Sequence, residues 1–251
     1  MNPDATPSPS GPPYETIVVE GLSNREFLER YAQAGRVGLS VGPALADRMI
    51  ARAERHLDEQ GRRGSWSHAF VFEGRRVDGH HWLIESDLQF VRKHIQLGVQ
   101  ENRITKYFDD VLYTSLAVLV FGLADAPTAT LVNEGLELVA SHTRYSLREL
   151  LGTLVALHKP ELRGQGNPLS RDRSFYCSAL VQHLFRKAGL DLTPGLDVKN
   201  TTPEDLARSP VPHTTWLLQR AAPRSRLASA VRRIRRRVKA RVRQVRRVAV
   251  F

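Results

Sequence analysis

Trp66 to Asp87 reads WSHAFVFEGRRVDGHHWLIESD. Trp66 to Phe72 and His81 to Asp87 are rich in aromatic and β-branched residues, and Gly74 to Gly79 has the composition of a turn, so the segment predicts a β-hairpin. Folding back near Arg76 and Val77 makes paired residue numbers sum to about 153, which sets His68 opposite Glu85. A cross-strand glutamate on one imidazole nitrogen fixes the tautomer and direction of the ring, leaving the other nitrogen for a reacting group. The same pair also fits a plain ion pair on a hairpin surface.

Working outward from the hairpin, residues 2 to 13 carry Pro, Ser and Gly with no large apolar side chain, the composition of a disordered leader. Tyr14 to Glu20 predicts a short strand. Ser23 and Glu26 have capping-box spacing and open a helix that should end near Gly35. A short strand follows at Val37 to Ser40, and Leu45, Met49 and Ala53 recur at helical spacing through to Asp58. Beyond the hairpin, Leu112 to Phe121 reads as a buried central strand, and Pro127 to Ala140 and Ser146 to His158 as helices. Thr202-Pro203-Glu204-Asp205 caps a further short helix, and Thr214 to Leu218 fits a closing strand. The expected organisation is a leader with a short strand over 1–21, one α+β domain over 22–220 and a tail over 221–251.

The chain has a single cysteine, Cys177, so no intramolecular disulfide forms. Leu180, Leu184 and Phe185 follow it at helical spacing up to Gly189, which places Cys177 in the first turn of a helix. A cysteine attacks as its thiolate, and a helix start supplies unpaired N–H groups and the positive dipole end that favour an anion there. The same N–H groups can stabilise an oxyanion on an attacked carbonyl. A lone cysteine among Phe175, Tyr176 and Leu180 equally fits a small buried residue.

Ser67-His68 on a strand, Leu83-Ile84-Glu85 ending the next, and Tyr176-Cys177-Ser178 opening a later helix resemble the YiiX-like permuted papain-like hydrolases, relatives of the NlpC-type cell-wall peptidases. Histidine precedes cysteine, the reverse of the ordinary papain order. Thr202 to Ala207 is similar to that family's closing element, and the likeness spans roughly Gly35 to Leu218. It implies a circularly permuted papain-like domain, with an antiparallel sheet packed against helices. It also implies Cys177 as nucleophile, His68 as general base and acid, and Glu85 as the residue that orients the base. Tyr176, Ser178 and Ser67 are the accompanying oxyanion or substrate candidates. Two positions depart from the family pattern: Arg36 follows Gly35 where an aspartate is usual, and Ala179 follows Cys-Ser where an acidic residue is frequent. The substrates implied are peptides, amides or acyl lipids.

Two other signals compete. Gly38-Leu39-Ser40-Val41-Gly42 matches G-x-S-x-G, the turn that presents the serine of α/β-hydrolases, and would make Ser40 a nucleophile. Only one strand is expected before it, too few for that fold, so a glycine-flanked turn lining the cleft is the plainer expectation. His80, His81 and Glu85 are close in sequence, but neighbouring strand residues point to opposite faces and no H-x-x-x-H or cysteine pair accompanies them. No metal and no cofactor is expected.

The net charge of +11 is a property of the tail. Arg224 to Phe251 holds 12 of the 37 Lys+Arg and no acid, leaving 25 bases against 26 acids in the body. Val231, Ile234, Val238, Val242, Val245 and Val248 recur every three or four residues. Arg232, Arg233, Arg235, Arg236, Arg237, Lys239, Arg241, Arg243, Arg246 and Arg247 fill the other face. This is a basic amphipathic helix, suited to an anionic membrane surface and, second to that, to nucleic acid. A solvated tail and a non-catalytic binding module remain compatible with it. With no secretory leader and no apolar run long enough to span a bilayer, the expected setting is the cytoplasm, with peripheral attachment to the inner membrane face.

Overall fold

The computed structural model describes residues 14–41, 66–91, 94–143 and 175–219. The expected leader, the helices at Leu45 to Asp58 and Ser146 to His158, and the basic tail lie outside them. The strands are β1 (Tyr14–Glu20), β2 (Val37–Val41), β3 (His68–Arg75), β4 (His81–Val91), β5 (His94–Arg103), β6 (Ser115–Val120) and β7 (His213–Gln219). They form one seven-stranded sheet in the order β1-β7-β6-β2-β3-β4-β5. The helices are α1 (Asn24–Tyr31), α2 (Asp125–Ala140), α3 (Cys177–Lys187) and α4 (Pro203–Ala207), with 3₁₀ turns at Ile104–Tyr107 and Val198–Asn200.

The α+β class expected from the sequence is observed. The sheet is mixed, however, because β1 runs parallel to β7. These strands are far apart in the sequence and no hairpin joins them, so nothing forces them antiparallel.

Both capping boxes form: Ser23 with Glu26 opens α1, and Thr202 with Asp205 opens α4, whose Pro203 occupies the first turn. β6 begins three residues later than its apolar run. Asp109 Oδ1 accepts from the N–H groups of Val111 and Leu112 at 2.8 and 3.0 Å, holding that stretch in a turn with Leu112 exposed. β5 had no counterpart in the sequence reading, although Ile95, Leu97 and Val99 alternate with polar residues.

Alternation divides the core into two layers. Val37, Leu39, Ala69, Val71, Ile84, Ala117 and Leu119 cluster with Leu131 of α2 and Leu180 and Leu184 of α3. On the opposite face Phe70, Phe72, Leu83, Leu116 and Val118 cluster with Phe27 and Leu28 of α1 and with Ile104 and Tyr107. β2 is therefore covered on both sides. Gly38 to Val41 of the G-x-S-x-G segment lie on this strand, not in a turn: Ser40 pairs with His68 on one side and Leu116 on the other. Gly38 is a packing requirement, since a Cβ there would overlap the Phe70 ring.

Gly38→Ala should thus cost about 1–3 kcal/mol through overpacking. Chemical denaturation checks this, and Gly38→Ala/Phe70→Leu should recover part of the loss; an unchanged midpoint in the single variant would contradict the packing account.

Candidate active site

β3 and β4 pair with a different register from the one read off the turn. Val71 faces Ile84 and Phe72 faces Leu83, a sum of 155, and a bulge between Phe72 and Gly74 shifts the ladder to Arg75 opposite His81. The turn closes around Asp78 and Gly79: Asp78 Oδ1 accepts from the His80 N–H at 2.9 Å, and Gly79 adopts φ +77°. His68 and Glu85 are consequently diagonal neighbours on one face, not directly opposite. A diagonal spacing remains within reach of long side chains. His68 Nε2 lies 2.8 Å from Glu85 Oε2. A carboxylate only accepts, so Nε2 carries the hydrogen and Nδ1 is the nitrogen left for another group.

Glu85 is fully buried, and β5 with its following 3₁₀ turn supplies its other partners. Asn102 Nδ2 donates to Oε1 at 2.7 Å, Lys106 Nζ donates to the same oxygen, and the Tyr107 hydroxyl donates to Oε2 at 2.5 Å. Lys106 Nζ also donates to Asp87 Oδ2 at 2.7 Å. Tyr107 is stacked on Phe70 at 4.5 Å, and its carbonyl accepts from Asn24 Nδ2 at 2.9 Å, so α1 steadies the same turn. Burial alone would raise the Glu85 carboxyl, but the Lys106 ammonium and the His68 bond outweigh it and hold it well below the usual carboxylate range. Lys106, pulled down by burial, is pushed up to about 12 by Glu85 and Asp87. Asp87, Asn102, Lys106 and Tyr107 were not found from the sequence; the alternation of β5 is the signal that would have brought Asn102 beside Glu85, and no local signal marks the others.

Cys177 is the first residue of α3, as expected, with Tyr176 at the N-cap in extended conformation and no side-chain cap. The Tyr176 side chain therefore does not cap the first-turn N–H groups. Cys177 and His68 are brought together: the thiol lies close enough to the imidazole to act on its proton affinity. Burial lowers the His68 pKa, but the neighbouring Cys177 thiol and the Glu85 carboxylate outweigh it and raise it well above its ordinary value. β4 serves both partners, since Glu85 faces His68 while Ser86, pointing to the other face, donates through Oγ to the Phe175 carbonyl at 2.6 Å.

The other sequence candidates are nearby in varied roles. The Tyr176 and Ser178 hydroxyls both donate to the Thr201 carbonyl, at 2.7 and 2.8 Å, pinning the start of α3; their hydrogens are committed there and what they offer an oxyanion is backbone. Ser67 donates weakly to the Ser40 carbonyl at 3.4 Å. Ser40 sits beside His68 across the β2–β3 ladder but is 0 % exposed, whereas Cys177 and His68 are 3 % and 8 % exposed. His81 Nδ1 donates to the Ala32 carbonyl at 2.7 Å, so His80, His81 and Glu85 do not assemble as ligands. Among the described residues, the donor atoms that do gather, within 4.8 Å of one another, belong to His68, Glu85 and Asp87.

The depressed Glu85 pKa has a definite linkage sign. Its stabilisation is complete above the unfolded carboxyl pKa of about 4.3 and is lost as pH falls toward the lower folded value. Glu85→Gln should cost about 3–5 kcal/mol at neutral pH, since it strands Lys106 with Asp87 alone, and should flatten the fall of Tm between about pH 5 and 2. Circular dichroism melts across that range check it; equal slopes in the two proteins would contradict the assignment.

No family model matches the chain, and no curated protein sequence matches it. Solved structures do match. Among them is metalloprotein YiiX from Escherichia coli O157:H7, which is 11% identical, with a TM-score of 0.50 over 76% of this chain and 99% of that one. At that identity the likeness concerns the fold: the chain has a YiiX-like α+β fold.

Proposed function

We propose that this protein is a cysteine-nucleophile hydrolase or acyltransferase of the permuted papain-like kind, acting on an amide, ester or thioester carbonyl. The observation that carries this reading is His68 held between the buried Glu85 carboxylate and the Cys177 thiol at the start of α3. His68 takes the thiol proton and becomes the imidazolium that Glu85 stabilises. Cys177 Sγ attacks the carbonyl carbon, and the first-turn N–H groups of α3 receive the oxyanion. Collapse of this intermediate breaks the bond to the leaving group, which takes the proton from His68 and departs, leaving a thioester on Cys177. Water or another acceptor, deprotonated by His68, then attacks the thioester and restores the thiol.

Ser40 gives a weaker nucleophile. It lies inside a strand with no exposed surface, and the sharp turn that would present it to substrate is lacking at that position.

YiiX is described as a metalloprotein, which raises the question of a metal here. The residues present do not fit one. Glu85 accepts from His68, Tyr107, Asn102 and Lys106, and Lys106 also engages Asp87, so no step of the mechanism runs through a metal.

Among the described residues no helix is long and apolar enough to cross a membrane. The basic amphipathic tail suits a peripheral contact, each base near an anionic surface contributing about 1 kcal/mol. This supports a reading in which the reaction acts on acylated or lipid-linked substrates at the inner membrane face.

Incubation with p-nitrophenyl esters and acyl thioesters should leave an acyl adduct on Cys177 detectable by intact mass. The adduct should be absent in Cys177→Ala and should form about 10²–10⁴-fold more slowly in His68→Ala. Acylation should be faster when the donor is presented in anionic rather than neutral vesicles. An adduct on a serine, or none with any donor, would overturn the cysteine reading; equal rates on both vesicles would overturn the membrane setting.

A further inference from the structure

One imidazole and two carboxylates with donor atoms within 4.8 Å of one another form a donor set that suits a divalent cation. In this chain an ammonium already bridges the two carboxylates. Lys106 Nζ donates to Glu85 Oε1 and to Asp87 Oδ2, with the Lys106 side chain only 19% exposed and that of Glu85 wholly buried. Much of this neutralisation therefore occurs out of water, where charge interactions are strong. The remaining capacity for a metal is closed as well. Glu85 has four acceptor directions, and His68, Tyr107, Asn102 and Lys106 supply four donors. His68 Nε2 spends its hydrogen on Glu85 and has no lone pair facing the cluster.

We propose that Lys106 is a positioning residue that stands where a divalent cation would: its ammonium holds Glu85 in line with His68 and closes the His68–Glu85–Asp87 cluster to metal ions. What the alignment achieves chemically rests on the cysteine-hydrolase reading; the exclusion of metal does not. Lysine arrives here because the 3₁₀ turn Ile104–Tyr107 directly follows β5 and carries Lys106 and Tyr107 to opposite oxygens of one carboxylate. Without that charge, Glu85 loses one of its four donors and Asp87 loses the ammonium, which opens a place between the two carboxylates that a divalent cation can fill.

The test uses the full chain in a Cys177→Ala background, so that the thiol cannot ligate, titrated with zinc by calorimetry. The parent should bind zinc no more tightly at the cluster than an Asp87→Asn variant does. Lys106→Ala should gain a zinc site at least about tenfold tighter, lost again in Lys106→Ala/Asp87→Asn. Lys106→Arg, which keeps the charge, should remain closed to zinc. Where Lys106→Ala does not fold in zinc-free buffer, refolding with zinc becomes the readout, and zinc should restore the fold. With Cys177 present, Lys106→Ala should acylate at least about tenfold more slowly, and Lys106→Arg should recover most of the rate. Zinc binding by the parent that depends on Asp87, no gain of affinity in Lys106→Ala, or failure of zinc to restore its fold would each overturn the proposal. A failed cysteine reading shows differently, as no acylation in any variant while the zinc results stand.

Discussion

A carboxylate taken wholly out of water costs several kcal/mol unless each of its oxygens is matched by donors. Glu85 is such a group, and the arrangement of this domain follows from matching it. β3 brings His68, β5 brings Asn102, and the 3₁₀ turn after β5 brings Lys106 and Tyr107. Three strands must hold one register for these to converge, and α1 braces the turn through Asn24 and Tyr107. The charge that this network keeps on Glu85 gives His68 its direction and, after the Cys177 thiol on its other side, adds to its raised basicity.

Strand β4 divides its work by parity. Glu85 looks toward His68 and the aromatic layer of Phe70 and Tyr107, while Ser86 looks toward α3 and fastens the Phe175 carbonyl two residues before Cys177. A single strand thus places both the carboxylate bonded to His68 and the fastening of the segment before Cys177. The hydroxyls of Tyr176 and Ser178 add a second fastening, to Thr201 ahead of α4. With histidine early in the chain and cysteine late, the site depends on this long-range assembly of the sheet with α3.

Much of this was legible in local patterns. The hairpin, both capping boxes, the helix that Cys177 opens and the partnership of His68 with Glu85 follow from composition and spacing, because each depends on neighbours a few residues away or on one turn. The register did not, because the bulge between Phe72 and Gly74 and a turn centred on Asp78 move the pairing sum from about 153 to 155, and only side-chain reach preserved the pair. The parallel β1–β7 pair and the donors on Glu85 were hidden for another reason. They join segments far apart in sequence, and nothing in the local composition around Lys106 or Tyr107 marks them as partners of a buried acid. Ser40 shows the converse error: in a motif that matches a nucleophile turn, the serine belongs here to a strand whose Gly38 makes room for Phe70.

The central claim is that His68 is joined to Glu85 on one side and to Cys177 on the other. Imidazole nitrogen NMR of His68, followed against pH in the wild type and in Cys177→Ala, tests it most directly. The account predicts an imidazolium in the wild type that persists well above the ordinary histidine pKa of about 6.5, and a lower titration point once the thiol is removed. A His68 that titrates at an ordinary pH, or identically in both proteins, would contradict it.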